Sequence, residues 1–144
     1  MKKRIIIILL LVSAILFTCP PAQTAVYAKS FSIDNEIKPY YTYISSISTS
    51  LSIDNGNAIC LGGLTLRSDL SVSSTITLQR SSNGTSWTDV KSWSKEFTGI
   101  GAHSFEKEYN VSSGYYYRVL HTVNVKNGDK TVETASIYSS NKYY

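Results

Sequence analysis

The chain has 144 residues, 42% of them hydrophobic and 17% charged, and a formal net charge of +4. Three of its 14 cations are Lys2, Lys3 and Arg4, so beyond them 11 Lys and Arg face 10 Asp and Glu, a near balance with no basic cluster. Such a chain lacks the electrostatic footprint of a nucleic-acid binder, and no nucleic-acid partner is expected.

In chain order, the cationic head leads into an apolar run of 13 residues, Ile5 to Phe17, and a small-residue stretch ending Val26-Tyr27-Ala28. That order predicts a cleaved secretory signal peptide over residues 1–28. The run is too short for a bilayer core of roughly 30 Å, and small residues stand three and one before the cut. The expected mature chain of 116 residues is then secreted. Cys19 raises a lesser alternative, lipid anchoring, but Thr18 before it and Pro20 after it fit a lipoprotein cut poorly. With Cys19 removed, Cys60 is alone and no intramolecular disulfide is expected. Stability must come from burial, with Cys60 as a small apolar residue inside.

Residues 29–39 are polar, carry mixed charge and end at Pro39, and read as a leader. From residue 40 onward no helical stripe appears, and runs rich in Ser, Thr, Val, Ile and Tyr alternate with turn residues. The first predicted strand, residues 43–53, sets Tyr43, Ile47, Leu51 and Ile53 against Ser46, Ser48, Ser50 and Ser52. Asp54-Asn55-Gly56-Asn57 supplies a tight turn into a second strand over residues 58–66, where Gly62-Gly63 predicts a bulge or bend. A third strand over residues 72–80 puts Val72, Ile76 and Leu78 on one face. The turn Ser81-Ser82-Asn83-Gly84-Thr85-Ser86 then feeds a fourth, residues 87–97. Trp87 and Trp93 share parity there and are expected in the core, while Val90 falls out of phase, the mark of an irregular or edge strand.

Residues 103–111 alternate Phe105, Tyr109 and Val111 against Ser104, Glu106, Glu108 and Asn110. Beyond Ser112-Ser113-Gly114 comes the best-patterned segment, residues 115–125, with Tyr115, Tyr117, Val119, Val123 and Val125 on one face and Tyr116, Arg118, Leu120, Thr122 and Asn124 on the other. His121 falls on the apolar parity and reads as a core-edge histidine with a partner. Lys126-Asn127-Gly128-Asp129 turns the chain into a last strand, residues 131–138. Seven short strands at this spacing predict an all-β, two-sheet sandwich over residues 40–144, of immunoglobulin or fibronectin type III kind.

The segment Val111-Ser112-Ser113-Gly114-Tyr115-Tyr116-Tyr117-Arg118-Val119 resembles the turn and sixth strand of fibronectin type III domains, and the later Asn127-Gly128 before a final strand is similar too. More broadly, YTYISSISTSLSIDNGNAICLGG, SSNGTSWTDVKSWSK and SSGYYYRV resemble a group of small exported proteins of Gram-positive bacteria with no assigned activity. The resemblance implies the fold and a bacterial origin, and it brings no catalytic or ligand residue with it.

Enzyme signatures are lacking. Glu106 and Glu108 share a polar strand face with Lys91, Lys95 and Lys107 available as neighbours, which describes solvated charge rather than an acid/base pair. His103, His121 and Cys60 sit in separate strands without the close spacing of metal ligands, so no metal and no cofactor is expected. No nucleophile turn, phosphate loop or calcium loop is present. The aromatic supply is the unusual feature. Ten tyrosines and two tryptophans lie beyond residue 28, with Tyr40-Tyr41, Tyr115-Tyr116-Tyr117 and Tyr143-Tyr144 adjacent. Neighbours along a strand face opposite ways, so some rings must meet solvent or a partner. The expectation is a non-enzymatic secreted module that binds a protein or glycan at the cell exterior, with Tyr41, Trp93 and Tyr116 as contact residues. A small bacteriocin-like antagonist of neighbouring cells is the alternative, though near-neutral charge and the lack of an amphipathic helix give it no direct pull toward anionic lipid.

Overall fold

The computed structural model describes residues 40–144; the expected signal peptide (1–28) and polar leader (29–39) lie outside the described residues. Every regular element described is a strand: β1 (Ile44–Asp54), β2 (Asn57–Leu66), β3 (Ser71–Ser81), β4 (Thr88–Phe97), β5 (Gly101–Asn110), β6 (Tyr116–Asn127), β7 (Lys130–Tyr138) and a two-residue β8 (Lys142–Tyr143). The seven expected strands are all present, and the short eighth is the addition. They form two antiparallel sheets, β1-β2-β5 and β4-β3-β6-β7, with β8 pairing the start of β6. In the immunoglobulin constant arrangement the fourth strand joins the sheet of the first two; here β4 pairs β3 instead, the fibronectin type III kind of sandwich.

Alternation builds the core. In β6, Tyr117, Val119, His121, Val123 and Val125 are buried, facing β3 residues Val72, Ser74, Ile76 and Leu78 of like orientation and Ala58, Cys60, Leu64 and Leu66 of β2 across the layer. Tyr117 has a second task, because its hydroxyl donates to the Ser112 carbonyl at 2.8 Å and pins the crossing from β5 to β6. This is the tyrosine corner of such sandwiches. Asn55 and Gly56 both take positive φ, 48° and 81°, the left-handed pair that a two-residue hairpin between β1 and β2 requires.

Gly62-Gly63 makes no bulge, contrary to the sequence expectation: pairing runs without a break from Ala58 to Thr65 against β1 and from Ala58 to Leu66 against β5. Gly62 faces inward, where an added Cβ would lie 2.6 Å from Ile76 Cγ2 and 3.1 Å from His121 Nε2. The missing side chain is the space His121 occupies. Bulges occur instead at Ser45 in β1, Val90 in β4 and Val132 in β7, three edge strands, where an extra residue also spoils the edge for pairing with another chain.

Fully buried His121 joins the two layers. Its Nδ1 lies 2.8 Å from the Ser48 carbonyl of β1, which can only accept, so Nδ1 carries the proton and Nε2 accepts from Ser74 Oγ at 2.7 Å. Burial lowers its pKa, opposed in part by the bond to Ser48. A second clasp lies at the start of β1. The Glu133 carboxylate of β7 accepts from the backbone N–H groups of Thr42, Tyr43 and Ile44, at 2.6, 3.1 and 2.9 Å.

Two predictions follow from this packing. Gly62→Ala drives a methyl against the buried, β-branched Ile76 side chain and the His121 ring and should cost about 1–3 kcal/mol, whereas Gly63→Ala meets closely only the rotatable Ser48 hydroxyl and costs much less; thermal melts of the two variants measure the difference. For His121 the folded pKa lies below the ordinary 6.5, so as pH falls through 6.5 the unfolded chain gains a proton that the folded chain refuses. The melting temperature should therefore drop between pH 7.5 and pH 5, and His121→Gln, though less stable at neutral pH, should show a flatter profile across that window.

Candidate functional site

The outer face of the β4-β3-β6-β7 sheet carries the chain's most organised surface group. At its centre is Arg118 of β6. Its guanidinium carbon sits 4.1 Å from the centroid of Trp87 and 4.0 Å from that of Tyr138, a cation between two rings. In the sheet direction, Arg118 Nε donates to Gln79 Oε1 at 2.8 Å, and Gln79 Nε2 donates to Asp89 Oδ1 at 2.7 Å. The relay crosses β6, β3 and β4 along matched register, Arg118 opposite Gln79 and Gln79 opposite Asp89.

Tyr116, two residues before Arg118 and on the same face, packs edge-on against Tyr143 of β8 with centroids 4.9 Å apart. The β3–β4 turn leans on Tyr116 at Gly84. That turn is tied internally: Ser81 Oγ accepts from the N–H of Gly84 at 2.9 Å, and Asn83 Oδ1 accepts from those of Thr85 and Ser86 at 3.0 and 2.9 Å. It delivers Trp87 to the Arg118 face. Two aromatic side chains thus flank one arginine and a second aromatic pair lies beside it on the same face, with Tyr116, Tyr138 and Tyr143 exposed by 36%, 52% and 66%.

Trp87 owes this position to the bulge. Lys91 opposes Leu78 and Asp89 opposes Gln79, so Val90 has no partner of its own and the strand changes face there. Trp93, opposite Ile76, stays on the inner side and packs against the core, edge-on to Tyr109 at 6.1 Å. The expectation that both tryptophans lie in the core is corrected for Trp87, because parity counted across a bulge inverts.

The three contact residues expected from sequence do not come together. Tyr41 is partly buried against the core around Ile44, Leu64 and Val125, Trp93 lies on the inner side of β4, and Tyr116 alone belongs to the outer patch. Sequence reasoning placed Arg118 on the face of Tyr116 but gave it no role, and it left out Trp87, Tyr138 and Tyr143. The adjacency of Tyr116 and Arg118 was readable from alternation; the arrival of β7 and β8 beside them was not.

Other chemistry-bearing residues are accounted for locally. Cys60 is buried, and burial pushes its thiol up to about 12, so it stays protonated. His103 Nε2 bonds the Gly99 carbonyl at 2.8 Å, and Glu108 accepts from Asn57 Nδ2 at 2.8 Å. Among the described residues no three His, Cys, Asp or Glu side chains gather as a metal group, and no helix is long and apolar enough to cross a membrane.

No family model and no curated protein matches the chain. Among solved structures it is similar to Bacteroides uniformis beta-glucuronidase 2 covalently bound to cyclophellitol-6-carboxylate aziridine, at 15% identity and a TM-score of 0.40 over 64% of this chain. It is similar to R. palustris CsgH at 14% identity and a TM-score of 0.37 over 65% of this chain and 87% of that one. A further Bacteroides uniformis beta-glucuronidase aligns at 11% identity and a TM-score of 0.39 over 66% of this chain. The alignment spans only 12% of either glucuronidase chain. Scores and identities this low assign no activity or ligand to this chain.

The two tryptophans give a direct check on the patch geometry. Trp93→Ala removes a ring packed on the core and should cost roughly 2–3 kcal/mol, below the range for a fully buried tryptophan. Trp87→Ala removes one ring face from Arg118 and should cost about 0.5–1 kcal/mol. Thermal or denaturant melts would contradict the assignment if the order were reversed.

Proposed function

We propose that the protein is a secreted, non-enzymatic β-sandwich that binds a cell-surface, matrix or carbohydrate partner through the outer face of the β4-β3-β6-β7 sheet. One observation carries this reading: Trp87 and Tyr138 pack on Arg118, and Tyr116, paired with Tyr143, stands two residues away on the same outward strand face. Buried tyrosines in this protein serve the core, as Tyr117 does, but these rings contribute little to it. Tyr138 and Tyr143 keep half or more of their surface in water. Rings already held by Arg118, by each other and by the tied turn lose little freedom on meeting a partner, which is where aromatic residues gain their weight in recognition.

Arrays of glycans and pull-downs from bacterial envelope and host matrix fractions, run with the purified protein, identify the partner class. A Tyr116→Ala/Tyr138→Ala double variant should bind roughly tenfold or more weakly to whatever the wild type captures, the weight of one or two central aromatic contacts. Its melting temperature should change by only a few degrees, because neither ring is in the core. Undiminished capture by the folded double variant would remove this reading.

A further inference from the structure

The aromatic group is built around a cation whose hydrogen-bonding edge is not used up. The Arg118 guanidinium carbon lies over both the Trp87 and the Tyr138 ring, and Nε is taken by Gln79. Among the described residues no hydrogen bond runs from its two terminal nitrogens, and no carboxylate pairs with it. Asp89, the nearest acid along the relay, spends Oδ1 on the Gln79 amide. A ligand can therefore meet Arg118 in the plane of its fork, the approach that suits two coplanar oxygens of one anion. The relay and the rings hold that fork in place beforehand, so binding an anion there costs little side-chain entropy.

We propose that this site, resting on the aromatic-patch reading above, takes an acidic polysaccharide. A sugar carboxylate is received by the terminal nitrogens of Arg118, and adjoining sugar rings pack on Tyr138 and Tyr116. The surrounding sheet face favours sugar over a protein partner. Beyond the patch it is a field of paired side chains: Thr75 with Ser94 at 2.7 Å, Thr77 with Ser92 at 2.9 Å, Thr122 with Ser136 at 3.0 Å, and Thr134 donating to Asn124 at 2.8 Å. A protein interface needs a desolvated apolar centre ringed by polar groups, and this face instead sets a small group of rings around a cation at one end of a surface of paired hydroxyls. A chain of pyranose rings has the matching character, with apolar ring faces, hydroxyl rims and a charge at regular intervals.

Calorimetry of the purified protein against polygalacturonic acid, its methyl ester, dextran sulfate and dextran tests the assignment. Polygalacturonic acid should bind. Methyl esterification should weaken binding roughly 10- to 100-fold, the worth of one charge-assisted pair, and dextran should not bind measurably. Arg118→Lys keeps the charge and loses the fork, and it should show a similar loss. The ester comparison uses wild-type protein only, so a folding defect in the variant cannot mimic it. Equal binding of acid and ester, full affinity in Arg118→Lys, no binding of polygalacturonic acid, or a preference for dextran sulfate would each overturn the carboxylate assignment. In those cases a partner whose capture still depends on Tyr116 and Tyr138 leaves the patch reading standing, and independence from both removes it.

Discussion

The sandwich closes around a neutral imidazole. His121 belongs to one sheet by its backbone and to the other through the Ser48 carbonyl, and this single ring fixes how far β1 can slide over β6. Its position is possible only because Gly62, directly across the layer, has no side chain. A buried polar group without partners is costly, and one with both nitrogens satisfied is a registration pin. Here Ser74 and Ser48 supply those partners from different layers, so the bonds are complete only when the two sheets are aligned. Glu133 does the same at the start of β1, where its carboxylate gathers three consecutive backbone N–H groups. Both inter-sheet polar clasps therefore hold β1, an edge strand whose apolar residues Ile44, Ile47, Leu51 and Ile53 are interspersed with exposed serines.

Period-two alternation made most of this fold legible. It located seven strands, and it put Val72, Ile76, Leu78, Tyr117, Val119, Val123 and Val125 on the inside, where they are. It failed wherever the period itself is broken. Ile44 has the parity of the wet serines of β1, yet it is buried, because the bulge at Ser45 turns it inward. Trp87 has the parity of Trp93, yet it faces outward, because the bulge at Val90 turns it away. One extra residue inverts every side chain beyond it, and no propensity scale announces where it falls. Val90 was the one visible sign, an apolar residue out of phase in a strand otherwise readable.

Gly62 shows a different limit. Glycine in a strand signals either a bulge or a close approach by another group, and the sequence does not choose between them. The choice was settled by His121, 59 positions along in the numbering and adjacent only once strand order is known. Strand order also hid most of the candidate site. Tyr116 and Arg118 are neighbours on one strand face, whereas Trp87, Tyr138 and Tyr143 reach them from the residue before β4, from β7 and from β8, through pairings that composition does not encode.

The same devices that stabilise the sandwich also separate its two kinds of tyrosine. Tyr117 points inward and spends its hydroxyl on the crossing between sheets, and Tyr116, one residue earlier, is thereby committed to the outer face. The bulge in β4 removes Trp87 from the core and sets it over Arg118, while β8, only two residues long, exists as a strand by pairing with Tyr116 and Tyr117 and so brings Tyr143 onto the patch. Core demands alone would not assemble these features. Gln79 and Asp89 could satisfy each other without Arg118, and a sheet face of paired threonines and serines is already stable in water. What distinguishes this end of the face is that its polar relay terminates in a cation clamped between rings, with hydrogen-bonding capacity left over. A structure that ties up Gln79, Asp89 and the hydroxyls of this face among themselves and leaves spare capacity on its strongest donor has placed that donor where a ligand can use it.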